Sequence, residues 1–481
     1  MSRVLGTESE VLALSPDASS SKAAQGLRLP GKWPSTGSND VAVWGECQGS
    51  GSKPYQTQVD LSGPSFKCSC PSRKFPCKHG LALMLLRAGG QVPEGSEPPV
   101  WVQTWLDSRQ EKAEKKEAKA VQAAAPADPQ AAAQQQARRE NKRWEKADAG
   151  LQELSLWMQD MVRSGLANQA SNAQARQRWN TMAARMVDAQ APGLAARIKE
   201  CWDWVDSHPG WPRDVLAQMG HWQLIVDAVR RRDTLGPQVK TDVMAALGWP
   251  MDKAEVQAAG LEVDDEWVVA GLYTTEREGR LMERRVWLQG LHSGRMALVL
   301  DYAQGGRGFE SAWMMGRHYR CALHFYPGNA PLRAIAASGN GAAMNAQDAQ
   351  PLTDSATSSG LLQLSQRIAA NPLQAIQPLW RANVRLTAVE GEWFAAWPEY
   401  QEESTTLAAS TASLPVPAAI PDADAWQLLA LTGGAPMQLF GEWESGPQLG
   451  RWRLLSAWQT RQGDLGQSAQ QCIWHNQGET V

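Results

Sequence analysis

A chain of 481 residues, 43% hydrophobic and 20% charged, has enough apolar mass for about two to four domains with real cores, which excludes global disorder. Lysine and arginine number 47 against 50 aspartates and glutamates, so a net charge of −3 excludes a chain that is basic throughout while leaving room for a local basic patch. Seven cysteines are too sparse at this length for a disulfide-stapled secreted scaffold.

Met1 to Ala13 mixes Arg3, Glu8 and Glu10 with single apolar residues, so no secretory signal is expected there. No stretch approaches the roughly 18 apolar residues that cross a bilayer. The expectation is a soluble, cytoplasmic protein without membrane contact. Residues 1–106 form an N-terminal region. Within it Asp40–Trp44 and Tyr55–Leu61 predict two strands joined by the turn-forming run Gly49-Ser-Gly-Ser-Lys-Pro54. Lys78–Ala88 predicts a short, strongly apolar helix stopped by Gly89-Gly90.

After a short apolar segment, Val100–Leu106, the composition changes. Glu111–Lys119 alternates Glu and Lys on a solvent-facing pattern, and Ala123–Ala137 is Ala/Gln-rich with Pro126 and Pro129. Residues 107–140 therefore predict a linker. Residues 141–261 predict a helical region. Leu151, Leu154, Met158 and Met161 recur at helical spacing, as do Trp179, Met182 and Met186, and Leu194, Ile198, Cys201 and Val205.

Beyond residue 262 the apolar period shifts towards two, predicting a β-rich domain over 262–481, a sandwich or open barrel. Glu266–Thr274 and Arg280–Gln289 flank a hairpin turn. Met296–Tyr302, Tyr319–Phe325, Ala382–Val389, Trp426–Leu431, Met437–Trp443 and Arg451–Trp458 continue as strands, and Ala337–Ser359 reads as a long loop. No internal repeat of fixed period is visible. The fold class is thus multidomain α+β: a small ββα module, a helical middle and a β-rich C-terminal domain.

One constellation carries chemistry. Cys68-Ser-Cys70-Pro-Ser-Arg-Lys-Phe-Pro-Cys77-Lys-His79 places four metal-ligating side chains in one short segment, spaced C-x-C, six residues, C-x-H. Residues i and i+2 of an extended segment project to one side, so Cys68 and Cys70 can grip one ion. Pro71 and Pro76 stiffen the loop, and Cys77 and His79 approach from the start of the apolar helix. Three thiolates and an imidazole are a common Zn²⁺ set, with Zn–S about 2.3 Å and Zn–N about 2.0 Å. Four protein ligands fill the tetrahedron and make the expected zinc structural. A chance cluster of inert thiols would rarely fall at ligand spacing and end in His. A redox pair would be expected to show the C-x-x-C spacing, which is absent.

The segment from Asp40 to Gly90 resembles the SWIM zinc finger, and the flanks Leu61–Phe66 and Pro71–Pro76 look like those of bacterial SWIM zinc finger proteins. The resemblance implies Cys68, Cys70, Cys77 and His79 as ligands of one structural Zn²⁺, and a module that binds DNA or other proteins. It also implies a place beside AAA-type ATPases and von Willebrand-type domain proteins, as an adaptor that never touches nucleic acid. Such modules occur in Mutator-type transposases and chromatin-remodelling ATPases too. This chain lacks the P-loop pattern of the latter and shows no convincing acid triad for the former.

Charge adds to this. Leu61–Gly90 contains Lys67, Arg73, Lys74, Lys78 and Arg87 and no Asp or Glu. Three thiolates and one Zn²⁺ leave about +4 on the module, enough to neutralise a few phosphates or an acidic protein surface. A solvated face that balances the thiolates accounts for the same residues.

Weaker signals fit ordinary packing and charge balance. Cys47 and Cys201 suit packing on a strand and a helical stripe. His318, Cys321 and His324 sit i and i+3 apart on one strand, too divergent to share a metal easily. Arg230-Arg-Arg232 suits phosphate, and equally a helix C-terminus favoured by the macrodipole. Tryptophan outnumbers tyrosine 23 to 6, which fits core packing better than a stacking platform. No Walker A loop, H-E-x-x-H, G-x-S-x-G or Rossmann glycine run is present, and Asp264, Asp265 and Glu266 have no partner recognisable from sequence. The expectation is a non-enzymatic protein.

Overall fold

Between Ser35 and Cys68 the chain folds back on itself three times. β1 (Ser35–Ser38), β2 (Ala42–Cys47), β3 (Tyr55–Asp60) and β4 (Ser65–Cys68) form an antiparallel sheet in that order. The computed structural model describes residues 7–12, 14–15, 18–49, 53–61, 65–72, 76–109, 129–166, 173–277, 281–304, 309, 311, 313–336, 342–343, 360–397, 415–444, 450–462 and 468–476. Two more strands are present than the alternation predicted: β1 reads Ser-Thr-Gly-Ser, without an apolar face, and β4 is only four residues long. Helix α3 (Lys78–Ala88) buries every residue from His79 to Leu86. Such burial all round requires cover on both sides. The sheet packs on one side, and α1 (Glu8–Leu12) and α2 (Ala18–Gly26) pack on α3 as well. A further helix, α4, spans residues 100–109.

Residues 111–119, read as a charged helical run, lie outside the described residues. α5 (Pro129–Ser164) starts within the stretch expected as linker and leads into a bundle with α6 (Ala173–Asp188), α7 (Pro192–Trp202), α8 (Trp211–Arg230) and α9 (Pro237–Leu247). The three predicted stripes all enter one core with Trp222, Ile225 and Val229 of α8. α10 (Lys253–Ala259) opens on a capping box, Asp252 with Glu255, and hands the chain to the β region. No described helix is long and apolar enough to cross a membrane.

The β region holds two barrels rather than one sandwich. The first uses β5 (Leu261–Arg277), β6 (Leu281–Gly290), β7 (Met296–Gln304), β8 (His318–Phe325) and β9 (Arg333–Ala336), with β10 (Ala342–Ala343) added outside β8. Neighbours run β5-β6-β7-β9-β8 and back to β5, and only β7–β9 is parallel. The second follows α11 (Gly360–Ala370). It uses β11 (Ile376–Val389), β12 (Glu392–Ala396), β13 (Val416–Ala419), β14 (Met437–Glu444) and β15 (Arg451–Gln462), with β16 (Ser468–His475) outside β15. Its ring runs β11-β12-β13-β15-β14, again with one parallel contact, β13–β15. The strand order is therefore repeated, as a five-stranded Greek-key barrel twice over, although no repeat is visible in the sequence. Trp426–Leu431, expected as a strand, lies in α12 (Asp422–Thr432). Asp422 and Asp424 favour a helix start, Ala425 and Leu428 bury one face, and Gly433 closes the helix in the left-handed conformation.

Polar side chains lock these units together. Glu442 of β14 is fully buried and accepts from Arg285 Nη2 at 2.8 Å and Trp287 Nε1 at 2.7 Å, both on β6 of the other barrel. Around it Tyr273, Trp287, Trp380, Phe440, Leu455 and Trp458 form a shared apolar cluster. At a second joint Asp242 of α9 accepts from Asn329 of the first barrel and Asn371, just after α11. Gly328, at φ 146°, is required there, since a Cβ would stand 2.3 Å from Asp242 Oδ1.

Two outcomes test this joinery. Glu442→Ala strands Arg285 in a dry interface, so chemical denaturation should show a loss of about 3–5 kcal/mol, while Glu442→Leu combined with Arg285→Met should recover much of it. Glu444 tests the pH dependence. Burial alone would raise its pKa, but hydrogen bonds and charge from Arg453 and Arg451 hold it below the ordinary 4.5. A depressed folded value contributes stability above 4.5 that is lost as pH falls through the folded value. The stability gap between the parent protein and Glu444→Gln should be widest near neutrality and close below pH 4.5.

Candidate metal centre

The four predicted ligands converge. Cys68 ends β4, Cys70 follows two residues on, Cys77 is the N-cap of α3 and His79 lies in its first turn. One ligand atom from each lies within 4.8 Å of all the others. A tetrahedral zinc with bonds of about 2.0–2.3 Å needs its ligand atoms roughly 3.5–3.8 Å apart, and Cys68 Sγ stands 3.8 Å from His79 Nδ1. The donor set and spacing fit Zn²⁺, and the side chains are positioned to hold it. Among the described residues no other group of three or more His, Cys, Asp and Glu side chains offers a metal site.

Local structure sets this geometry. The β3–β4 register places Thr57 opposite Cys68, and Thr57 Oγ1 lies 3.2 Å from Cys68 Sγ. Ser69 extends the pairing, its N–H donating to Gln56 O and its Oγ accepting from Gln56 N. Cys77 Sγ accepts from Gly80 N at 3.5 Å, as an N-cap side chain should. Gly80 lets α3 approach β4, because a Cβ there would lie 2.8 Å from Phe66 Cδ1. Tyr55 packs on the His79 ring at 4.9 Å. Cys77 and His79 are buried, whereas Cys68 and Cys70 are half-exposed at the rim. Thr57 and Tyr55 are supporting residues that the spacing of ligands alone did not reveal. The period-two pattern of Tyr55–Leu61, run against β4, carries the signal for Thr57.

The electrostatics favour a cation. Hydrogen bonds from Cys68 and Cys77 push the Cys70 thiol down. Cys77 is pushed up, first by its hydrogen bonds with Cys68 and Cys70 and then by burial. Burial opposes charge on His79, but Cys68 and Cys70 outweigh it and push His79 up to about 9. Cys70 is thus favoured as a thiolate while Cys77 is held as a thiol. A divalent ion binding all three sulfurs as thiolates removes that conflict.

The remaining residues fall into place around this centre. Lys67 and Lys78 are exposed, on β4 and at the start of α3. Arg87 sits at the far end of α3, about 13 Å along the axis from Lys78, and Arg73 and Lys74 lie outside the described residues. Asp60, just before the acid-free stretch, is neutralised by Arg109 at 3.0 Å. Cys47 is buried on β2, raised by that burial and apart from the ligand cluster. His318 binds Glu266 at 2.8 Å and His324 lies 4.0 Å from Glu262, so neither joins Cys321. Asp265 and Glu266, without a recognisable partner in sequence, are on β5. Asp265 accepts from His292 and Ser293, which holds it below its ordinary value despite burial.

Elemental analysis should find about one zinc per chain, and Cys77→Ser should lose it together with the fold of the N-terminal unit, because binding energy here is folding energy. Full zinc occupancy in that variant would contradict the ligand assignment. Acidification should release the metal as protons displace it from the thiolates, read by a zinc-sensitive dye.

A SWIM zinc finger family model matches residues 55–88. A second model, the SWIM-associated four-helix bundle domain, matches residues 142–247, the span from α5 to α9. No curated protein and no solved structure matches the chain. Two separate matches in this order, with the Cys₃His cluster inside the first, make the chain a SWIM domain-containing protein.

Proposed function

We propose that this is a non-enzymatic, zinc-stabilised protein that binds DNA through the basic rim of its finger. The observation that carries the reading is the placement of Lys67 and Lys78. Both are exposed beside the metal centre, on separate elements clamped together by it, and neither forms an ion pair among the described residues. Two ammonium groups on a rigid frame suit phosphate oxygens, which position a protein on a duplex without reading sequence. Four protein ligands leave the zinc no open position for a substrate, in keeping with a structural role. The cysteines are unpaired thiols, which supports a reducing, cytoplasmic setting.

A second reading is an adaptor that works in a protein assembly, such as one with an AAA-type ATPase and a von Willebrand-type domain protein. It is favoured by Trp426 of α12, which is 61% exposed and backed edge-on by Trp393 at 5.2 Å. Such an indole, held rigid with one face in water, suits a protein partner.

Mobility-shift titrations with a DNA duplex at two salt concentrations separate the readings. Phosphate binding should weaken steeply as salt rises, and Lys67→Gln with Lys78→Gln should flatten the log–log slope by roughly 2. Absence of binding at low salt, or binding indifferent to salt, leaves the adaptor reading.

A further inference from the structure

We infer that the first half of α5, with neighbouring cations from the turn after α8 and from α9, is a second nucleic-acid surface that grips the sugar–phosphate backbone independently of the finger. Arg139, Lys142, Arg143 and Lys146 stand at i, i+3, i+4 and i+7, on one flank of α5. The stripe is about 10 Å long. Arg139, Lys142 and Lys146 are exposed, and none of the four forms an ion pair among the described residues.

Two buried indoles fix the centre of this surface. Trp144 and Trp249 pack with ring centroids 4.5 Å apart. The Arg143 guanidinium lies 4.2 Å over Trp249, Lys240 Nζ lies 5.6 Å from Trp144, and Arg232 lies 6.0 Å from Trp144. Arg143 Nε is buried without a hydrogen-bond partner among the described residues. Among the described residues the ion pair formed by these three cations is that of Lys240 with Glu140, at 3.4 Å, and Glu140 also accepts from Trp144 Nε1. Arg232 does serve its helix end, donating from Nη1 to Val229 O, yet it remains half-exposed beside Trp144. The Arg230–Arg232 run is thus more than a macrodipole partner.

The chemistry favours phosphodiesters over an acidic protein. A protein partner needs apolar anchors inside its ring of charge. Among the described residues the exposed large apolar side chains of α5 and α9 are Leu156 and Val162, beyond the stripe, and the single Val239. Arginine forks and ammonium groups on a rigid rod, without an apolar centre, match a regularly charged backbone.

The test uses the full, zinc-loaded chain and a fluorescein-labelled DNA duplex of about 30 base pairs, with a single strand of equal length as a second probe. Arg139→Gln, Lys142→Gln and Lys146→Gln together change exposed residues that form no ion pair among the described residues, so zinc content and melting midpoint should be unchanged. Binding at low salt should weaken about 10-fold or more, and the log–log salt slope should flatten by roughly 2–3, since each lost phosphate contact removes roughly 0.9. If the Lys67 and Lys78 variant leaves the slope unchanged while this triple variant flattens it, the finger reading fails and this one stands. A triple variant with the parental slope overturns the proposal. So does competition by poly-glutamate at equal charge concentration, which would make the surface an acidic-peptide site. No binding of either probe by the parent protein overturns both readings.

Discussion

Three sulfurs and one imidazole held within 4.8 Å of each other cannot all take their metal-binding forms without a cation. That constraint organises the N-terminal unit. Zinc ties the end of β4 to the first turn of α3, and α3 is then apolar on every side. An all-apolar helix cannot remain at a surface. α1 and α2 cover it, and Met314, from the loop before β8, enters the same core. The clamp thus reaches beyond its own sheet to the first barrel. The two strands and one helix expected from sequence understate the unit, because its cover comes from segments that show no amphipathic pattern of their own.

Elsewhere orientation is held by buried polar groups instead of a metal. Glu442 joins the barrels, and Asp242 joins the bundle to both of them. Arg197 of α7, half-buried and lowered in pKa by desolvation, donates to Leu373 O, while Leu373 itself sits in the bundle core. His221 of α8 adds a hydrogen bond to Pro372 O. Apolar surfaces alone tolerate sliding. A carboxylate with fixed donors does not, since any slip leaves a charge unpaired in a dry interface.

What could be read from the sequence follows from the range of the interactions involved. The metal ligands were legible because all four lie within one short segment, and α3 was legible to the residue because Gly89-Gly90 marks its end. The bundle stripes were legible because helical periodicity is local. Trp426 was misread because an apolar run of that length suits strand or helix alike, and the deciding residues, Asp422 and Gly433, flank it. The repeated barrel order left no trace. It resides in which strands pair, β7 with β9 and β13 with β15, and pairing partners far apart in the chain need share no motif.

The near-neutral charge of the chain also resolves into units that use their cations differently. In the barrels five arginines are paired with carboxylates, Arg277 with Glu283, Arg284 with Asp301, Arg285 with Glu442, and Arg451 and Arg453 with Glu444, while Arg295, Arg320, Arg333 and Arg385 are exposed without an ion pair among the described residues. Five-stranded Greek-key barrels bind oligonucleotides in other proteins through basic grooves, but cations already neutralised by adjacent carboxylates release few counterions. Lys67, Lys78, Arg139, Lys142 and Lys146 face solvent without carboxylate partners among the described residues. Exposed charge of this kind is what phosphate binding draws on, and it is the finger and the first half of α5 that present it as neighbouring unpaired side chains.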